Sequence, residues 1–336
     1  MNVPGKITLF AAGLTAAFGV AAYAGSSFGP VVSSSVSGAE HNEEPTHTEQ
    51  PTHTAHGGAV ATAAPTVPGG LTAARDGYAL QLEVDRLTAG ATQELRFVVT
   101  GPDGHPLTDY TPTHDKPLHL IVAGRDLIEF HHVHPHLDED GTWSVDLGLS
   151  QAGAYRVFAD FRPGDREDPL TLGADLLVSG DYAPAALPPV SNTSVVDGYT
   201  VDLEGALEPG KDSLLTLTVE KDGEPVDDLE PYLGAYGHLV ALRAGDLAYL
   251  HVHPDGAPGD GKTVPGPAIG FVVDVPTTGA YRLFLDFQHE GVVRTAVFTQ
   301  STTGGTGLSA SPALVPEAPS APETDGGDHA STDHSH

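Results

Sequence analysis

The chain repeats itself, and the repeated unit is made of short extended segments. Asp76-Gly-Tyr78 and Asp197-Gly-Tyr199 each open a run of alternating apolar and polar residues. Leu95-Arg-Phe-Val-Val-Thr100 and Leu214-Leu-Thr-Leu-Thr-Val219 follow, each leading into a turn, Asp103-Gly-His-Pro-Leu107 and Asp222-Gly-Glu-Pro-Val226. Further on, Thr142-Trp-Ser-Val-Asp-Leu147 corresponds to Gly270-Phe-Val-Val-Asp-Val275, and Gly153-Ala-Tyr-Arg-Val-Phe-Ala-Asp-Phe161 to Gly279-Ala-Tyr-Arg-Leu-Phe-Leu-Asp-Phe287. Period-two alternation broken by Gly, Pro and Asp turns predicts strands, and no stretch sustains a helical period. About seven strands per copy predict an all-β chain of two tandem immunoglobulin-like antiparallel sandwiches. Tyr155 and Tyr281, after Gly-Ala, fit a tyrosine corner better than a catalytic role.

Between the second and third blocks each copy carries a histidine-bearing stretch. His119-Leu-Ile-Val-Ala-Gly-Arg-Asp-Leu-Ile-Glu-Phe-His-His-Val-His-Pro135 returns as His238-Leu-Val-Ala-Leu-Arg-Ala-Gly-Asp-Leu-Ala-Tyr-Leu-His-Val-His-Pro254. Two apolar runs around a short Gly/Asp turn predict a β-hairpin, whose folding brings the lone His opposite the first His of His-Val-His. Alternate strand residues share a face, so His132 and His134 point together, as do His251 and His253, while His131 faces away. The expected site is therefore a three-imidazole cluster made twice: His119, His132 and His134, with His136 able to swing in past Pro135, and a leaner His238, His251 and His253. His289 is a further neighbour of the second set. Asp160 and Asp286 stand in apolar strands and need a partner. That partner is either a ligand's imidazole, whose tautomer the carboxylate fixes, or a turn or a salt link to Arg156 or Arg282.

The chain has no Cys and no Met beyond Met1, which removes disulfides, thiolate catalysis, Cys-type zinc sites and thioether ligands. Imidazole and carboxylate suit Cu(II) or Zn(II) as the bound ion. A net charge of −30, from 45 acidic and 15 basic residues, argues against nucleic acid, gives solubility and can concentrate cations.

The expected division is residues 1–24 as signal peptide or N-terminal membrane anchor, 25–70 as a disordered linker, 71–180 and 190–300 as the two sandwiches, and 301–336 as a disordered tail. The first segment joins Lys6 to an apolar run ending in Ala22-Tyr23-Ala24, a pattern of export, with membrane contact through this segment alone. The linker interleaves His41, His47, His53 and His56 with Glu, and the tail ends in spaced His and Asp, compositions that capture metal weakly.

Lys116-Pro-Leu-His-Leu-Ile-Val122, Asp126-Leu-Ile-Glu-Phe-His-His-Val-His-Pro135, Asp140-Gly-Thr-Trp143 and Gly153 to Phe161 resemble bacterial exported YtkA/FixH-like domains, over residues 76–178 and more faintly 197–299. The second copy lacks the Lys-Pro-Leu lead and the doubled His. The resemblance implies heavy-metal or copper handling, with envelope metal-transport components as partners. The expected function is thus a non-enzymatic, exported metal-binding protein that buffers or relays copper or zinc. Two alternatives stand beside it. One is a pair of structural, adhesive or ligand-binding modules without metal. The other is a copper redox enzyme of superoxide-dismutase type, disfavoured because the Cys of such enzymes are missing.

Overall fold

The computed structural model describes residues 67–250 and 252–302. The predicted leader, most of the linker, His251 and the C-terminal tail beyond residue 302 lie outside the described residues. The first copy runs β1 (Ala74–Arg75), β2 (Tyr78–Leu82), β3 (Arg86–Thr88), β4 (Thr92–Thr100), β5 (Leu118–Gly124), β6 (Phe130–Val133), β7 (His136–Leu137), β8 (Thr142–Gly148), β9 (Gly153–Phe161) and β10 (Leu170–Ser179). The second runs β11 (Thr193–Val196), β12 (Tyr199–Gly205), β13 (Lys211–Lys221), β14 (Glu224–Pro225), β15 (His238–Arg243), β16 (Tyr249–Leu250), β17 (Val252–Pro254), β18 (Ala268–Val275), β19 (Ala280–His289) and β20 (Val292–Ser301).

Each copy forms two facing sheets. Their orders are β1-β2-β4-β8-β7 and β3-β10-β9-β5-β6 in the first, and β11-β12-β13-β18-β17 (with β14 on β13) and β16-β15-β19-β20 in the second. These are two tandem immunoglobulin-like sandwiches, with strand rather than helix throughout the described residues. The pairings are antiparallel apart from β3 with β10, which is parallel. The strand count exceeds the sequence reading because short edge pieces such as β1, β7 and β14 break off from longer runs.

Alternation fills the two interiors. Leu95, Phe97, Val99, Leu120, Val122, Trp143 and Phe161 meet in the first core, and Leu215, Leu217, Val219, Leu239, Phe271, Leu283 and Phe287 in the second. The tyrosine corner is present in both: the Tyr155 hydroxyl reaches Gln151 O at 2.8 Å and the Tyr281 hydroxyl Thr277 O at 2.7 Å.

A third core lies between the copies. β5 is buried at every residue, because one face looks into its own sandwich and the other, with Ile121 and Ala123, onto the second copy. Val240 and Leu242 of β15, Phe158 of β9 and Phe284 of β19 complete this layer. Its contacts are reciprocal: Phe130 stacks on Phe284 at 3.9 Å, and their counterparts Tyr249 and Phe158 meet at 5.7 Å. An approximate two-fold relation therefore links the copies, as in an isologous dimer. At the two hairpin tips Leu127 and Leu247 take positive φ (60° and 62°) and plug the same core. The connection between copies also packs there, through Leu187.

Candidate metal centre

The hairpin that carries the histidines is anchored through Glu129. Glu129 accepts from the amides of Ser150 and Gln151 at 2.6 and 2.9 Å and from the Tyr155 hydroxyl at 2.5 Å. Burial pushes this carboxyl up, but the bonds from Tyr155, Ser150, His131 and Gln151 outweigh it and bring its pKa down to about 2. His131 turns to Glu129, at 3.1 Å, and away from the cluster. Across the hairpin Ile121 pairs with His132 and Leu120 with Val133, so His119 is not directly opposite His132. The register differs from the expected one by two residues, and His119 meets His132 as a diagonal neighbour on the same face. That face is the one turned to the second copy.

His119, His132 and His134 converge, with one nitrogen of each ring inside a group spanning 4.8 Å. His119 Nδ1 lies 3.1 Å from His132 Nε2 and 3.3 Å from His134 Nε2. The far nitrogens of two rings are already committed. His119 Nε2 donates to Thr113 O at 2.9 Å, and His132 Nδ1 donates to Asp286 Oδ2 at 2.7 Å. In the neutral tautomers so fixed, His119 Nδ1 and His132 Nε2 face each other as lone pairs. Two lone pairs at this distance repel unless something positive sits between them, either a proton carried by one ring or a metal ion shared by both. A tetrahedral ion with bonds of about 2.0–2.1 Å sets its nitrogens about 3.3 Å apart, close to the spacing present.

The surroundings of His119 and His134 favour the neutral ring. Burial, with repulsion from His132, His134 and His114, holds His119 down to about 3 against the opposing pull of the Thr113 carbonyl. Burial and then His132 and Lys116 bring His134 to about 4. His119 is 1% exposed and the His132 side chain 1%. Asp286, 3% exposed in an otherwise apolar strand, takes a second bond from the Thr295 hydroxyl at 2.6 Å, which fixes its orientation toward His132.

The cluster does not stay within one copy. Asp286 comes from the second sandwich, and so does His238, whose ring lies parallel to that of His119 at 5.3 Å and 4.8 Å from that of His132. His119 and His238 hold equivalent positions and face each other across the two-fold relation. Burial, then the neighbouring His132, His119, His114 and His134, hold His238 well below its usual range. His114, in a left-handed conformation (φ 49°), adds a fifth ring 5.3 Å from His238. Its loop position gave no strand pattern to place it.

The other expected residues among those described stay outside the trio, although the His253 charge still acts on His114. His136 does not swing in: β7 pairs with β8 in the opposite sheet, and the exposed ring sits 3.5 Å from Asp138. His253 is carried by β17 to β18, in the sheet opposite β15, because the second copy changes sheets earlier than the first, where the change follows Pro135. His251 lies outside the described residues. His289 is outside the trio and bonds Tyr199 Oη at 2.7 Å and Asp228 at 3.0 Å. Asp160 forms no salt link to Arg156, which turns to Asp175 and to Gly70 O. It accepts instead from Thr171 Oγ1 at 2.9 Å and from Tyr249 of the other copy, and its burial raises it to about 6. Arg282 donates to Thr299 Oγ1 at 2.6 Å and leaves Asp286 to His132.

Among the described residues no helix is long and apolar enough to cross a membrane. A search of curated proteins returns no match. Similar solved structures include the Escherichia coli adhesin FdeC, 13% identical with a TM-score of 0.23 over 68% of this chain and 65% of that one. Salmonella alpha-2-macroglobulin is 14% identical, with a TM-score of 0.24 over 71% of this chain and 15% of that one. The D0-D1 domain of intimin is 13% identical, with a TM-score of 0.19 over 66% and 97%. This chain thus spans less than two thirds of the adhesin and a small part of the macroglobulin, and likeness at such scores carries no argument about function. One sequence family matches twice, over residues 72–173 and 193–304, once for each sandwich. The chain belongs to that family, described as "Domain of unknown function (DUF8832)".

Proposed function

We propose that this protein is a non-enzymatic metal-binding protein that holds a divalent transition-metal ion, Cu(II) or Zn(II), through His119, His132 and His134. The observation that carries this reading is the opposed pair of imidazole nitrogens, His119 Nδ1 and His132 Nε2, 3.1 Å apart with their other nitrogens bound to acceptors. Neutral imidazole is the ligand form such ions take, and a carboxylate behind a ligating ring raises its basicity. The acidic chain draws cations toward the site. The resemblance to exported YtkA/FixH-like domains and the apolar N-terminal run extend the proposal to buffering or relay of copper or zinc in the cell envelope, with transport components as partners.

Calorimetry with Cu(II) and Zn(II) tests the site. Combined His132→Ala and His134→Ala should abolish the tightest uptake, and Asp286→Asn should weaken it about ten- to a hundredfold. An unchanged isotherm in the double variant would refute the proposal. The second reading is a structural or adhesive module, favoured by the apolar layer that fixes one sandwich against the other. It fits a wild-type protein that takes up no metal in excess of the double variant.

A further inference from the structure

Three imidazoles leave a tetrahedral ion one open position, and the second copy holds an imidazole beside it. We propose that His238 supplies the fourth nitrogen to an ion held by His119, His132 and His134, so that the ion joins the two sandwiches directly. The inference rests on the metal-binding reading above and adds a ligand from the other copy to it.

The ring spacings to two of the three ligands, His119 and His132, support it. Centres within the trio stand 5.3 Å (His119–His132), 5.1 Å (His119–His134) and 5.0 Å (His132–His134) apart. His238 stands 5.3 Å from His119 and 4.8 Å from His132, as near to each as they are to one another. Four imidazoles around a tetrahedral ion have ring centres about 5 Å apart. The His238 nitrogens are outside the 4.8 Å group formed by the trio, so the ring must turn about its side-chain torsions to reach the ion. Among the described residues its ring is bordered by other imidazoles, His114, His119 and His132, and no hydrogen bond to a carbonyl or carboxylate opposes that turn. His238 pairs with Asp286, the residue that orients His132, so candidate ligand and supporting carboxylate share one stretch of β15 and β19.

A closed four-nitrogen site and an open three-nitrogen site respond differently to added anions. The test loads the full chain with less than one equivalent of Co(II), whose visible ligand-field bands are intense at tetrahedral sites and weak for ions held loosely by the tails. In the wild type the bands should be indifferent to azide, because the coordination shell is full. In His238→Gln, azide should bind at the vacated position and shift the bands, and Co(II) affinity should fall at least ~10-fold. Bands in the wild type that azide shifts would overturn the fourth ligand while leaving the three-histidine site standing. Tetrahedral bands missing from the wild type, or surviving in the His132→Ala and His134→Ala double variant, would overturn the site itself and the inference with it. The azide response of the wild type decides the matter even where the variant folds poorly.

Discussion

Acidifying the metal-free protein from pH 7.5 to pH 5 should destabilise it by about 3 kcal/mol or more. An unfolded histidine takes up a proton below about pH 6.5, whereas folded His119 and His134 hold out to about 3 and about 4. Between these limits the unfolded state binds more protons, so stability falls with falling pH. At pH 5 each ring lies about 1.5 units below its unfolded value, which is about 2 kcal/mol per ring and about 4 kcal/mol together. Asp160 works against this. Its folded pKa is raised to about 6, so the folded state binds the extra proton and gains about 1 kcal/mol by pH 5. His114 and His238, both lowered by burial, act in the same direction as His119. Glu129, at about 2, stays ionised throughout the window. Urea denaturation in the presence of a chelator, at the two pH values, measures the difference. A midpoint that is equal or higher at pH 5 would refute the account of neutral, buried imidazoles.

Two further perturbations address the frame around the site. Phe284→Ala removes a 1%-exposed ring stacked on Phe130 and should cost about 3–5 kcal/mol, with weaker metal uptake because Asp286 sits two residues on; thermal unfolding and calorimetry together check it. Gly173→Ala would bring a Cβ to 2.0 Å from Gly70 O, which Arg156 binds through Nε and Nη2. Expelling that segment should cost about 1–3 kcal/mol and speed hydrogen exchange at the Tyr249 amide, which donates to Gly69 O at 3.0 Å.

The duplication, the strands and the histidine hairpin are legible in the sequence because each is a local pattern of alternation and turn residues. The trio on one face follows from the same period of two. The inter-copy layer also left a sign: Leu120 to Gly124, after His119, is apolar without alternation, as a strand covered on both faces must be. The role of Asp286 was narrowed only to a choice, since no local rule says that a carboxylate in β19 meets a ring in the other sandwich. His136 was misplaced because the chain changes sheets after Pro135, and one residue beyond that point its neighbours are those of β8. The hairpin register depends on the length and form of the tip, where Leu127 adopts a backbone conformation that its residue type does not announce.

The left-handed leucines at the two tips carry a consequence for how such a chain can be divided. A bulky residue at positive φ costs roughly 1 kcal/mol or more, and such strain persists where the surroundings compensate it. Leu127 and Leu247 are compensated by the layer they enter, to which both sandwiches contribute. Either half severed at residues 180–190 would keep the strained tip, lose the surface it was shaped to meet, and present Phe158 or Phe284 to water. Its bared apolar face would then favour association with a second copy, so the stable unit here is the pair, and the connecting segment, which packs into the layer through Leu187, also raises the concentration at which the halves meet.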